Sequence, residues 1–306
     1  MKWNGWDEYY EFWDGFVRNW FESRANPDDD ISNLYKEIFT DRDQFNIDEL
    51  PEPYQGDPAS GVEAVVLNLN PGMSQRGHYG AFEGRDLEST KCYSNIDNPS
   101  DGWLIRRFRD ESQGSYRNFI REWACLNPTL RGHEPEVCGV DWWQGDNPNC
   151  VAGRMKWVRQ IYGNEELSPS KVFATEICPF HSKAFSTDNL GKLISFIKDR
   201  VIVPTVMAVV ENKLPFAVAV GRSYANVLDV LGTLKKEWDY RSPMTDWPRV
   251  GFWQRTYRLY SIDISSGKSA YILVTWARAY GLPAPGNEFT AVERRIRDYV
   301  NREALC

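Results

Sequence analysis

The sequence predicts an α/β protein in three layers, α/β/α, around a short, mainly parallel four-stranded sheet. Three observations carry this reading. Four short apolar runs, 63–69, 171–177, 214–220 and 270–276, are rich in β-branched and aromatic residues. Runs of that kind, apolar at successive positions, read as strands buried on both faces, as parallel strands are. The stretches between them carry apolar residues at three- and four-residue steps, the spacing of helices that flank a sheet. The chain has 306 residues, 42% hydrophobic and 26% charged, which is ordinary for a globular protein of one large domain or two small ones.

Each element follows in order. Residues 3–25 read as a helix, with Trp6, Tyr9, Tyr10, Trp13, Phe16, Val17, Trp20 and Phe21 forming a wide aromatic face. Asn26-Pro27-Asp28-Asp29-Asp30 ends it, Ile31 to Phe39 reads as a short second helix, and 40–60, rich in Asp, Glu and Pro, reads as surface loop. Residues 1–60 are therefore expected to be an N-terminal helical extension and 61–306 the α/β domain. The first strand, 63–69, runs into Pro71-Gly72 and a long polar loop, 71–101. That loop interleaves Arg76, His78, Tyr79, Arg85, Lys91 and Tyr93. Such a mixture suits a phosphate and a base together, and equally suits a solvated loop.

Residues 102–124 and 153–162 read as helices, separated by a stretch rich in Gly, Pro and Asn that is expected to be an insertion at about 124–150. The second strand, 171–177, ends at Cys178-Pro179, and a helix over 188–211 is expected to kink at Pro204. The third strand, 214–220, meets Gly221-Arg222-Ser223, which opens a helix through Leu231. A helix beginning at a strand end offers free N–H groups to an anion. Residues 232–256 show no clear period. Tyr257–Asp263 and Ala270–Trp276 alternate as strands around a hairpin turn at Ser265-Ser266-Gly267-Lys268, and Asn287–Leu305 closes the chain as a basic amphipathic helix.

Composition narrows the function. No apolar run is long enough to span a bilayer, and the N-terminus lacks a signal-peptide pattern. The six cysteines, Cys92, Cys125, Cys138, Cys150, Cys178 and Cys306, form no CxxC pair, which suits reduced thiols in the cytoplasm. The three histidines, His78, His133 and His181, form no HxH or HxxxH, so no metal site is expected. GxxxxGK[ST], GxGxxG and GxSxG are absent, against a P-loop NTPase, a dinucleotide dehydrogenase and an α/β-hydrolase. A net charge of −7 counts against wrapping long duplex by bulk electrostatics but leaves room for a local basic patch. The 13 Trp read mostly as core anchors, with some in polar contexts that suit a ligand cleft. His181, close after Cys178, invites a Cys/His nucleophile reading, although nothing in the sequence orients the pair.

At the end of the first strand, Asn70-Pro71-Gly72-Met73-Ser74 resembles the first active-site motif of the uracil-DNA glycosylase superfamily, in the form carried by its mismatch-specific and thymine-DNA glycosylase branch. The resemblance implies a uracil-DNA glycosylase-like fold and a DNA glycosylase that flips a base from DNA and cleaves its N-glycosidic bond. It implies roles too. Asn70 holds the attacking water, Gly72 and Ser74 belong to the base pocket, and Phe82, twelve positions after Asn70, stacks on the flipped base. No metal or organic cofactor is implied.

Two departures stand out. The superfamily's second strand commonly ends in Thr-Asn, and here Thr175-Glu176 takes that place. An ionised carboxylate only accepts hydrogen bonds, so an ionised Glu176 suits a base with an exocyclic amine rather than uracil, whereas a Glu176 protonated by burial donates as well. A structural Glu176 paired with a neighbouring cation fits the sequence equally well. The superfamily's last motif carries a His, whereas Thr275 to Gly286 carries none. Arg278 then offers charge to a developing anion, Tyr280 or Leu282 offers a wedge, and His181 offers an acid or base. A catalytically silent member of the fold that binds nucleic acid or a nucleotide is the alternative expectation.

Overall fold

Ala64–Asn68 (AVVLN), here β2, is buried at every position, and it takes a parallel partner on each side. The computed structural model describes residues 3–25, 51, 53–68, 113–118, 158–168, 171–180, 193–231, 235–241, 255–265, 268–277, 296, 298 and 299. They form a mixed α/β fold. The elements are helix α1 (Trp6–Ala25), β1 (Tyr54–Gln55), β2, β3 (Val172–Glu176), α2 (Leu193–Ile197), α3 (Val203–Glu211), β4 (Ala217–Val220), α4 (Arg222–Leu231), β5 (Lys235–Arg241), β6 (Arg255–Ser265) and β7 (Lys268–Ala277).

The sheet has seven strands in the order β1-β3-β2-β4-β7-β6-β5. β3, β2, β4 and β7 run parallel at its centre, in the four runs expected from the sequence. The sheet is wider than the expected four strands because three antiparallel strands extend it. β1 pairs with β3 on one side, and β6 and then β5 follow β7 on the other. β1 lies inside the stretch read as surface loop. Its two residues make too short a run to show an alternation. β5 is the polar KKEWDYR, an edge strand whose charge suits its position and hides its period.

The described pairing of β2 with β4 covers Val66↔Val218 and Leu67↔Ala219 only. A side chain reinforces it. The Val65 N–H donates to the Tyr162 hydroxyl at 3.1 Å, and that hydroxyl donates to Phe216 O at 2.6 Å. Burial pushes the Tyr162 phenol up, so it stays protonated as the clasp requires. On β3, Gly56 passes so close that a Cβ there would stand 2.2 Å from Val172 O, and its φ of +83° suits glycine.

The aromatic face of α1 is core. Tyr9, Tyr10, Trp13, Phe16, Val17 and Trp20 are all buried, in one cluster with the sheet residues. Trp6 and Tyr9 meet Phe173 of β3 edge-on, and Trp13 meets Phe196 of α2 at an interplanar angle of 89°. Edge-to-face pairs of this kind add to the burial of each ring. Polar contacts fix the helix lengthwise. The Trp6 indole N–H donates to Glu211, and Tyr10 donates to Asp57, which also pairs with Arg117 at 3.2 Å. Burial and the Asp57 carboxylate together push the Tyr10 phenol up.

Pro204 does not simply kink the helix over this stretch. A five-residue π segment, Lys198–Ile202, joins α2 to α3 just before it. Proline lacks an N–H and its ring crowds the carbonyl four residues back, so a wider turn there relieves both problems. The Thr205 hydroxyl donates to Val201 O at 2.6 Å and satisfies one of the displaced carbonyls. The second helix at 31–39, the loop 71–101 and the insertion at about 124–150 lie outside the described residues. Of the helices read at 102–124 and 287–305, the structure describes 113–118 and 296, 298 and 299. Among the described residues no helix is long and apolar enough to cross a membrane.

Candidate functional site

The chain ends of the parallel strands gather polar groups. Asn68 ends β2 and Glu176 ends β3, and the two stand directly opposite in register. Register partners project from the same face of a sheet, so their side chains meet. The Asn68 Nδ2 donates to Glu176 Oε1 at 2.9 Å, with both residues buried, at 6% and 5% exposure. A buried carboxylate needs such a donor, because desolvation without one costs several kcal/mol.

Backbone bonds hold both strand ends in place. Ile177 N–H donates to Asn68 O, and Glu176 N–H donates to Pro53 O, each at 2.9 Å. The pair is therefore mounted on regular strand rather than on a loose loop, which sharpens its geometry.

The same edge continues across the sheet. Register carried one residue past Leu67↔Ala219 brings Asn68 level with Val220, and Val220 pairs with Thr275 of β7. Glu176, Asn68 and Thr275 thus stand in one row on one face. Next along the chain, Gly221 has φ +130°, and its N–H donates to Thr275 O at 2.9 Å. That conformation turns the chain sharply from β4 into α4, whose first turn begins at the same edge.

Cys178 follows two residues after Glu176. Its thiol is buried, and desolvation pushes it up, with the nearby Glu176 carboxylate adding to the shift. A thiol held protonated is a poor nucleophile, which argues against the Cys178–His181 nucleophile reading from this side of the pair.

Glu176 is the expected site residue that the structure describes, and it stands at the strand end with an amide partner from β2. Its Oε1 accepts from Asn68. Asn70, Gly72, Ser74, Phe82, His181, Arg278 and Tyr280 lie outside the described residues. Asn68 and Thr275 were not expected as site residues. The available signal for Asn68 was its place as the first polar residue after the apolar run of β2. For Thr275 it was a hydroxyl inside an otherwise apolar run, a feature common in ordinary strands. Among the described residues no group of three or more His, Cys, Asp or Glu is arranged to hold a metal ion. No protein-family model, curated protein or solved structure matches the chain.

Proposed function

We propose that the chain is a base-removing hydrolase of uracil-DNA glycosylase-like fold, α/β/α in layers, acting on a base flipped out of DNA. The observation that carries this reading is the Asn68–Glu176 pair at the chain ends of adjacent parallel strands. Ligands of open α/β sheets bind in the crevice beyond those ends. In the sequence Asn70 follows Asn68 by two residues, so the Asn70-Pro71-Gly72-Met73-Ser74 motif comes directly after β2.

In this mechanism the enzyme extrudes a base and stacks it on Phe82. Unstacking and unpairing cost a few kcal/mol, offset by stacking and edge contacts in the pocket. Glu176, bonded to Asn68, accepts from the base's exocyclic amine and favours an amino-bearing pyrimidine over uracil. Asn70 positions a water for attack on the glycosidic carbon. Arg278 stabilises charge on the departing base, His181 assists proton transfer, and Tyr280 fills the vacated stack.

Single-turnover base release tests the reading, on oligonucleotides carrying uracil, mismatched thymine and modified cytosines. We expect abasic-site formation from a cytosine-type substrate, abolished by Asn70→Ala at an unchanged unfolding midpoint. Failure of the wild-type chain on every substrate would sink the hydrolase. A second reading, a silent binder of nucleic acid, is favoured by the absence of His between Thr275 and Gly286. Oligonucleotide binding without base release would establish it.

A further inference from the structure

The Thr275 hydroxyl is fully buried, at 0% exposure, and has no hydrogen-bond partner among the described residues. Threonine in a strand normally turns its hydroxyl to a carbonyl, a neighbouring side chain or water, because an unmet buried donor is costly. A group left in that state calls for an explanation, and a ligand that arrives later is one. Its position supplies the rest. Thr275 stands in the same row, on the same face, as Asn68 and Glu176.

Neighbouring strands lie about 4.8 Å apart, so Thr275 stands about 10 Å along the row from Asn68. Glu176, hydrogen-bonded to Asn68, stands one strand further along, about 14 Å from Thr275 between backbones. A pyrimidine whose 2- and 4-substituents each hydrogen-bond to the side chain at one end of the row bridges such a span. The β4 backbone at position 220 lies between the two ends.

We propose that Thr275 is a ligand-contacting residue of this row, its hydroxyl pairing with a ring carbonyl of a pyrimidine whose exocyclic amine faces Glu176. This rests on the crevice assigned above, and it adds a second contact at the far end of the ring. A hydroxyl donates to a carbonyl oxygen, and Glu176 accepts from the amine. Cytosine, with both groups, satisfies the two ends together, whereas uracil offers a carbonyl to each.

The test compares the full-length wild-type chain with Thr275→Val and Thr275→Ser. Valine keeps the shape and removes the hydroxyl, while serine keeps the hydroxyl. The probes are free cytosine and free uracil, followed by thermal shift and by equilibrium titration. We expect cytosine to bind more tightly than uracil, Thr275→Val to weaken cytosine about tenfold, and Thr275→Ser to restore most of the loss. The Thr275→Val melting temperature should equal or exceed that of wild type, since no internal hydrogen bond is lost.

A drop of several degrees without a change in cytosine affinity would show that the hydroxyl serves the fold and overturn the proposal. So would wild type binding neither base. Base release is read separately: Thr275-dependent binding with no release anywhere supports this contact while removing the hydrolase.

Discussion

Asn68 and Glu176 show how two ordinary strand ends become a polar site. Each closes an apolar run, and register alone makes them partners. Asn68→Leu keeps the volume and removes the donor, leaving a buried carboxylate short of one bond. We expect about 1–3 kcal/mol of destabilisation in urea unfolding, and a smaller loss for the double variant Asn68→Leu/Glu176→Leu. A double variant less stable than the single one would mean that the carboxylate is held chiefly by other groups. Tyr162→Phe should likewise cost about 1–3 kcal/mol, because the hydroxyl answers Val65 N and Phe216 O at once. An unchanged midpoint would show that the β2–β4 seam does not need its clasp. Glu176 was legible in the sequence, since a charge at the end of an apolar strand demands a partner. The partner was not, because strand register between segments 108 residues apart leaves no local trace.

At the scale of elements, α1 and the π segment repay comparison. The helix was legible from aromatic spacing alone, and the structure gives its face the role the spacing suggests. Trp13→Ala removes a fully buried ring from a stack that joins α1, β3 and α2, and should cost about 3–5 kcal/mol. Near-UV circular dichroism and the urea midpoint measure it, and a loss below about 1 kcal/mol would contradict the packing described. Gly56→Ala forces a Cβ against the Val172 carbonyl in a left-handed conformation, and should cost more than about 1 kcal/mol. The sequence could not announce Gly56, because the close approach arises only once β1 lies beside β3. Pro204 announced an irregularity in the helix but not its form. A kink and a π turn relieve the same clash, and the choice falls to local packing and to the Thr205 hydroxyl.

For the molecule as a whole, buried acids of high pKa set the response to pH. Burial raises Tyr9, Tyr54, Tyr162 and Tyr260 above the ordinary 10.0, and Cys178 above 9.0. The folded chain therefore keeps protons that the unfolded chain releases. Stability should hold up to about pH 9 and then fall steadily as pH rises through 10 and beyond. Melting temperatures from pH 7 to 11 check the sign, and a rise in that range would refute it. The mixture of strands and helices was legible because apolar runs and helical periods are local signals. The width of the sheet was not, because edge strands are short or polar. β6 and β7 carry one further consequence. They pair along nearly their whole length as a hairpin, whereas β7 meets β4 over Ala217↔Ile272 to Val220↔Thr275 alone. Hairpin contacts are close in sequence and form within microseconds, while β2 must find β3 across 103 intervening residues. The hairpin is thus expected to form early and β2 to pair with β3 late, so the strand ends that carry Asn68 and Glu176 should be the last to assemble.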